Sequence, residues 1–216
     1  MATFRDCADG LWNNFKIEDV ATPQGWHRDS EKVLEFYNLR RAEAKAAQPN
    51  EAHYLVASLQ DKFDVKVITQ NVDDLHERGG AKEVYHMHGS LFKVKEDLMG
   101  SDKSWDWSGD LHLGDCSEHG VQLRPDVVWF GENIKYGDEL FDIAKQADVF
   151  VIVGTSLEVY PANTLSGATK NECVRIYVDP HAKNSTFDDF ILIQDVATSG
   201  MKTLVDILNK TEFTNE

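Results

Sequence analysis

Positive charge is scarce in this 216-residue chain: 22 Lys and Arg stand against 37 Asp and Glu, a formal charge of 22 − 37 = −15. A surface that acidic repels phosphate backbones and anionic lipid, so neither nucleic acid nor membrane is an expected partner. It attracts basic, lysine-bearing segments instead. Cysteine is scarce too. Cys7, Cys116 and Cys173 make neither an even disulfide framework nor a zinc quartet, and a reducing cytoplasm is the expected compartment. No run approaches the roughly 18 apolar residues that a membrane helix needs, and the opening Met1-Ala2-Thr3-Phe4-Arg5-Asp6 is unlike a signal peptide. Internal repeats, low-complexity tracts, a P-loop and a Gly-x-Ser-x-Gly elbow are all absent. No two glycines are separated by a single residue, which rules out the Gly-x-Gly-x-x-Gly dinucleotide fingerprint.

Hydrophobic residues at 42% give an ordinary globular composition, and the length suits one domain or one domain carrying an insertion. Three β-branched apolar segments, Val65–Thr69, Val149–Gly154 and Val174–Val178, read as buried strands, with Phe190–Ile193 a shorter fourth. Helical patterns at about 31–47, 51–60, 137–147, 162–169 and 199–210 lie among them. Short apolar strands bracketed by helices predict an α/β fold, a parallel Rossmann-like sheet with helices on both faces. Ligands of such sheets lie beyond the carboxyl ends of the strands. There the chain reads Thr69-Gln70-Asn71-Val72-Asp73, Gly154-Thr155-Ser156 and Asp179-Pro180, three small or polar turns expected on one sheet edge. These are either a nucleotide-binding rim or ordinary strand-ending turns. Residues 93–122, with Trp105, Trp107, His112, Cys116 and His119 and no clear period, predict a long irregular insertion.

Three constellations could carry chemistry. Tyr85-His86-Met87-His88-Gly89-Ser90 sets two histidines on one side of an extended backbone, as two metal ligands, as an acid or base, or as plain structural residues. Tyr37 and Arg40 lie three apart on the 31–47 helix, in a stripe with Val33, Phe36 and Ala44. A phenol and a guanidinium on one face suit a carboxylate, although a half-buried Tyr beside an extended Arg is the plainer reading. Cys116-x-x-His119 is half a zinc knuckle, whose other half would fall near Glu96; zinc is not expected.

Taken together, these residues resemble the sirtuin family of NAD-dependent protein lysine deacylases, and its small bacterial acidic-acyl subgroup in particular. Thr69-Gln70-Asn71-Val72-Asp73-Asp74-Leu75-His76 is similar to the family's Thr-Gln-Asn-x-Asp-x-Leu-His signature, and His86-Met87-His88-Gly89 to the segment of its catalytic histidine. Arg124-Pro125 through Phe130-Gly131-Glu132 resembles its peptide-binding strand. Gly154-Thr155-Ser156-Leu157 resembles a cofactor loop, and Thr3-Phe4-Arg5-Asp6 with Gly10-Leu11-Trp12 the end of a flexible one. The likeness runs from residue 3 to about 207 and implies a single catalytic domain. Its Rossmann-like lobe would occupy about 61–92 and 123–210, and its small lobe about 10–60 and 93–122.

The resemblance implies NAD as cofactor and acylated lysine side chains of proteins as substrates. His88 would be the general base. Gln70, Asn71, Val72 and Asp73 would line the nicotinamide-ribose pocket, and Gly154, Thr155 and Ser156 would hold phosphate and ribose. Phe4 and Arg5 would close over the reactive end, with Asp179 near a ribose and Ala197 near the adenine. Val128, Trp129, Phe130 and Gly131 would take the substrate peptide as an added strand. Tyr37 and Arg40 match the Tyr-x-x-Arg of members that accept succinyl or malonyl lysine. The implied products are nicotinamide and O-acyl-ADP-ribose.

Three departures accompany the likeness. The family's first strand and its Gly-Ala-Gly turn have no counterpart here, so an N-terminally incomplete chain is expected, through a late start codon or trimming. Of the family's four zinc cysteines, Cys116 alone has a counterpart, which implies a metal-free small lobe. The Asn that follows the family's third strand is replaced by Tyr177 or Val178, with Asp179 next. An acyl-lysine or nucleotide binding module without chemistry, and an NAD hydrolase or ADP-ribosyl transferase, remain the alternatives.

Overall fold

A computed structural model describes residues 15–98, 100–101, 103–155, 162–182 and 189–210. The chain divides into two compact units, one built from residues 1–48, 69–75 and 85–135, the other from 49–68, 76–84 and 136–216.

The first unit opens with α1 (Ile17–Val20), α2 (Pro23–Arg28) and α3 (Ser30–Ala46). Each longer start carries a local signal. The Thr22 hydroxyl accepts the Gly25 N–H ahead of Pro23, and the Asp29 carboxylate accepts the Lys32 N–H, each satisfying a donor that the first turn leaves open. Against α3 lies an antiparallel sheet in the order β4-β3-β5, with β3 at Gly89–Glu96, β4 at Ser104–Asp106 and β5 at Leu123–Val127. Val33, Phe36, Tyr37 and Ala44 of α3 share one core with Leu91, Val94, Leu123 and Trp129.

The insertion expected to be irregular therefore begins and ends in a sheet. Lys93, Val94 and Lys95 pair with Asp106, Trp105 and Ser104. Ahead of that pairing the β3–β5 register slips between Gly89 and Val94, and Gly89, Ser90 and Leu91 are buried in succession there.

The second unit holds α4 (Glu51–Ser58), α6 (Gly137–Gln146), α7 (Ala197–Lys210) and a parallel sheet in the order β6-β7-β8, with β6 at Val149–Val153, β7 at Val174–Val178 and β8 at Ile191–Ile193. A 3-10 turn, Ala162–Ala168, stands between β6 and β7. The strand period of two divides β7 between both faces. Ile176 and Val178 pack with Ala52 of α4 and Met201, Leu204 and Leu208 of α7, whereas Tyr177 packs with Ile152 and Ala182. At Gly200 a side chain would run into Val178 and lie 3.4 Å from Ile193, so α7 rests directly on the sheet.

Two sequence expectations are corrected here. The segment 51–60 was assigned to the small lobe, yet its apolar face, Ala52, Leu55, Val56 and Leu59, completes the core beneath β7 and α7. The strand at Val65–Thr69 was placed in the parallel sheet. Its ordered part, β1 (Val67–Thr69), instead pairs with β2 (Val84–His86). Within the second unit the Val67 N–H donates to the Glu83 carbonyl, and within the first the Met87 N–H donates to the Thr69 carbonyl. Around α5 (Leu75–Arg78) the chain turns from one of these strands toward the other.

Candidate active site

His88 follows β2 and is held from three sides within the first unit. Its Nδ1 lies 3.1 Å from the Gln70 carbonyl oxygen. Its own carbonyl accepts the Val128 N–H at 2.8 Å. The preceding Met87, 1% exposed, donates to the Thr69 carbonyl and accepts the Lys135 N–H. A carbonyl can only accept, so Nδ1 carries the ring proton, and Nε2 of the neutral ring presents a lone pair. Burial pushes the His88 pKa below its ordinary 6.5, only partly offset by the Gln70 contact. The site thus holds an imidazole that is neutral, fixed in tautomer and basic at Nε2. His86 makes a parallel contact, Nδ1 to the Asn71 carbonyl at 3.0 Å.

The loop after β1 presents its main chain to both histidines, and the buried side chains at its two ends, Thr69 and Asp73, stiffen it. The Thr69 hydroxyl accepts the Asn71 N–H, and buried Asp73 accepts the Leu75 N–H at the start of α5. The Val72 carbonyl accepts from Leu91 at 2.8 Å, joining the loop to β3. Gln70 and Asn71 thus meet His88 and His86 through their carbonyls, while Val72 and Asp73 bond to Leu91 and Leu75.

Tyr37 and Arg40 leave α3 on neighbouring turns, with Tyr37 buried and Arg40 half-buried. Burial drives the phenol pKa upward, and Trp129, Arg40 and Arg124 pull it back in part. The Trp129 indole N–H donates to the Tyr37 oxygen at 3.0 Å. Arg124 stacks on that indole at 3.9 Å and pairs with Glu132, whose second oxygen accepts the Trp129 main-chain N–H.

The expected peptide-pairing strand ends early. β5 stops at Val127, and Val128, Trp129 and Phe130 give their N–H groups to His88, Glu132 and Ala21. Gly131 turns the chain at φ 92. Phe130 is 55% exposed.

In the second unit, Gly154 closes β6 at φ 60 and donates to the Val178 carbonyl at 3.0 Å, and a Cβ there would meet nothing within 4 Å. The Thr155 carbonyl accepts from the Tyr177 hydroxyl at 2.9 Å. Asp179, half-buried just past β7, accepts the His181 N–H at 2.7 Å, and Ala197 begins α7. Phe4, Arg5 and Ser156 lie outside the described residues.

The half-knuckle is a hydrogen-bonded cluster. His119 Nδ1 lies 2.9 Å from a Glu96 oxygen, and contacts from Ser117 and His119 lower the Glu96 pKa. Among the described residues no group of three His, Cys, Asp or Glu side chains is arranged to hold a metal. The Gln122 side chain ties the lobe instead, accepting from Gly114 and donating to the carbonyls of His112, Asp115 and Leu123.

Sequence reasoning missed Arg41. It is 1% exposed and donates to Leu91 and Gly109 carbonyls at 2.7 and 3.2 Å and to Asn38 Oδ1 at 2.8 Å. Burial lowers its pKa, with Asp110 opposing. The helical period allowed Arg40 or Arg41 on the stripe, and only the loop that Arg41 pins distinguishes them.

The chain is similar to known proteins over most of its length. The Sir2 family model matches residues 1–161. An NAD-dependent protein deacylase of Helicobacter pylori (strain 26695) is 42% identical over 208 residues, 96% of this chain and 89% of the relative. A deacylase of the same name from Bacteroides thetaiotaomicron is 38% identical, covering 96% of this chain and 91% of its own. Among solved structures, a Sir2 homologue–NAD complex is similar at TM-score 0.83 and 36% identity, over 97% of this chain and 83% of that one. Sir2Tm bound to a propionylated peptide is similar at TM-score 0.74 and 25% identity, over 92% and 87%. The chain belongs to the Sir2 family.

Proposed function

We propose that the protein is an NAD-dependent protein-lysine deacylase of the cytoplasm, with His88 as general base and with Tyr37 and Arg40 receiving acidic acyl chains such as succinyl or malonyl. The observation that carries the reading is the contact of His88 Nδ1 with the Gln70 carbonyl, which commits the ring proton there so that Nε2 is the basic atom, in a site whose burial lowers the His88 pKa.

The residues of the second unit suit a dinucleotide. Gly154 turns at positive φ with open space beside it, at the carboxyl ends of parallel strands, and Asp179 offers a carboxylate of the kind that holds ribose hydroxyls. When bound, NAD would supply the ribose carbon that the acyl oxygen attacks as nicotinamide departs and the ribose hydroxyl on which the acyl group ends. His88 Nε2 accepts the proton of the attacking hydroxyl, while the Gln70 carbonyl keeps the Nδ1 proton in place. Gln70, Asn71, Val72 and Asp73 bind and orient the reacting ribose, with Phe4, Arg5, Thr155, Ser156 and Ala197 completing the cofactor contacts.

The substrate peptide pairs along residues 128–131, mainly through carbonyl groups and Gly131, because the preceding N–H groups are engaged within the protein. A surface of charge −15 favours lysine-rich protein segments over nucleic acid and anionic membranes. Among the described residues no helix is long and apolar enough to cross a membrane.

The test supplies acetyl- and succinyl-lysine peptides with NAD and follows products by mass spectrometry. Nicotinamide and O-acyl-ADP-ribose should form together, and His88→Ala should abolish both. Tyr37→Phe combined with Arg40→Met should lower desuccinylation about 10- to 100-fold more than deacetylation, the scale of lost charged hydrogen bonds. Equal losses would remove the acidic-chain reading. Free ADP-ribose formed without acyl-lysine would make the protein a hydrolase instead.

A further inference from the structure

Tyr37 is 5% exposed, and its oxygen accepts the Trp129 indole N–H. A phenol has one proton to donate, and an indole N–H can only donate. With Trp129 aimed at the oxygen, the O–H must point away from the indole. Among the described residues no acceptor stands to receive it. A buried donor without a partner is unfavourable, so the Tyr37 O–H is stabilised by any group that brings an acceptor to it.

Trp129 is itself immobilised. It is 2% exposed, with the Arg124 guanidinium 3.9 Å from its ring centroid and Trp26 at 5.7 Å. Glu132 holds its main-chain N–H at 2.8 Å. The indole therefore cannot swing away to free the phenol.

We propose that Trp129 is a positioning residue for acyl-chain selectivity, its indole N–H fixing the Tyr37 phenol as an obligate donor toward a carboxylate at the end of the acyl chain. This rests on the acidic-chain reading above and adds a cause of discrimination. An acetyl group ends in a methyl and leaves the Tyr37 O–H unmatched, whereas a succinyl carboxylate satisfies it. Because Trp129 also belongs to the peptide-pairing segment, the same side chain links peptide seating to acyl choice.

The experiment is a double-mutant cycle on the selectivity ratio, kcat/KM for a succinyl-lysine peptide over kcat/KM for its acetyl-lysine counterpart. Trp129→Phe should lower the ratio about 5- to 10-fold, the scale of one oriented hydrogen bond, chiefly through KM for the succinyl peptide. In a Tyr37→Phe background the same change should leave the ratio within about twofold, because the group through which Trp129 acts is gone. Equal ratio changes in both backgrounds would mean simple packing and overturn the proposal. So would an unchanged ratio in Trp129→Phe when Tyr37→Phe shifts it. If neither Tyr37→Phe nor Arg40→Met moves the ratio, the acidic-chain reading itself fails, which is a separate result. Should Trp129→Phe not fold, benzothienylalanine at 129 keeps the bicyclic shape and removes only the N–H. The same fall in ratio is expected of it, and no fall would refute the assignment.

Discussion

The glycine after His88 gives the sharpest structural prediction. Gly89 lies at φ 80, where an alanine is disfavoured by about 1–2 kcal/mol. A Cβ would also collide with the Asp126 carbonyl oxygen and come within 3.0 Å of Val127 Cα. Both obstacles are main chain, so no side chain can rotate away. Relief requires β3 and β5 to separate at the Gly89–Val127 pair, next to the 2.8 Å Val128-to-His88 hydrogen bond. Overpacking of that kind costs about 1–3 kcal/mol. Gly89→Ala should therefore lose about 2–5 kcal/mol in all, lowering Tm by about 4–20 °C for a chain of this size. Gly120 is the control, because its φ is 74 but a Cβ there meets nothing within 4 Å. Gly120→Ala should show the backbone contribution alone. The assay is paired thermal melts, with kcat/KM measured well below both transitions. Gly89→Ala should also lose activity through displacement of His88, and Gly120→Ala should keep it. If the two melt within about 2 °C of each other and both turn over normally, the close approach of β3 to β5 does not constrain the turn at His88.

Two further outcomes follow from the geometry. His88 must be neutral to accept a proton, and burial lowers its pKa, so the acidic limb of kcat/KM should fall below pH 6.5, with activity kept above it and lost as pH drops through the lowered value. A limb at or above pH 6.5 would remove His88 as the titrating base. Arg41→Met keeps much of the volume but abandons the Leu91 and Gly109 carbonyls and Asn38 Oδ1, which also accepts the Leu111 N–H, so about 2–4 kcal/mol of stability should be lost and the Leu111 amide should exchange faster; unchanged denaturant midpoints would mean that burying the charge had offset its bonds.

Local chemistry was readable wherever a signal lies within a few residues. The helical pattern at 51–60 is realised as α4, and the β-branched runs at Val149–Val153 and Val174–Val178 pair in register as parallel strands. The motifs of the β1 loop and of His86–His88 also showed which side chains to watch. Main-chain contacts between those two motifs, Gln70 with His88 and Asn71 with His86, lie 18 and 15 residues apart and leave no periodic trace.

The rest was decided only by tertiary structure. Residues 93–122 looked irregular because they lend the sheet only the end of β3 and the short β4, whose pairing with each other is a tertiary contact that no local period records. The helix at 51–58 carries an apolar face that any core would accept, and only packing against Met201, Leu204 and Leu208 assigned it to the second unit. Arg40 and Arg41 are equivalent by helical spacing, yet Arg41 is buried because three acceptors converge on it. The sequence alone determined the family and singled out His88, Tyr37 and Arg40 as side chains to examine, since each signal depends on residue types in a short spacing. Which atom of His88 is basic, and which way the Tyr37 proton points, depend on partners 18 and 92 residues away, and only the folded chain brings those together.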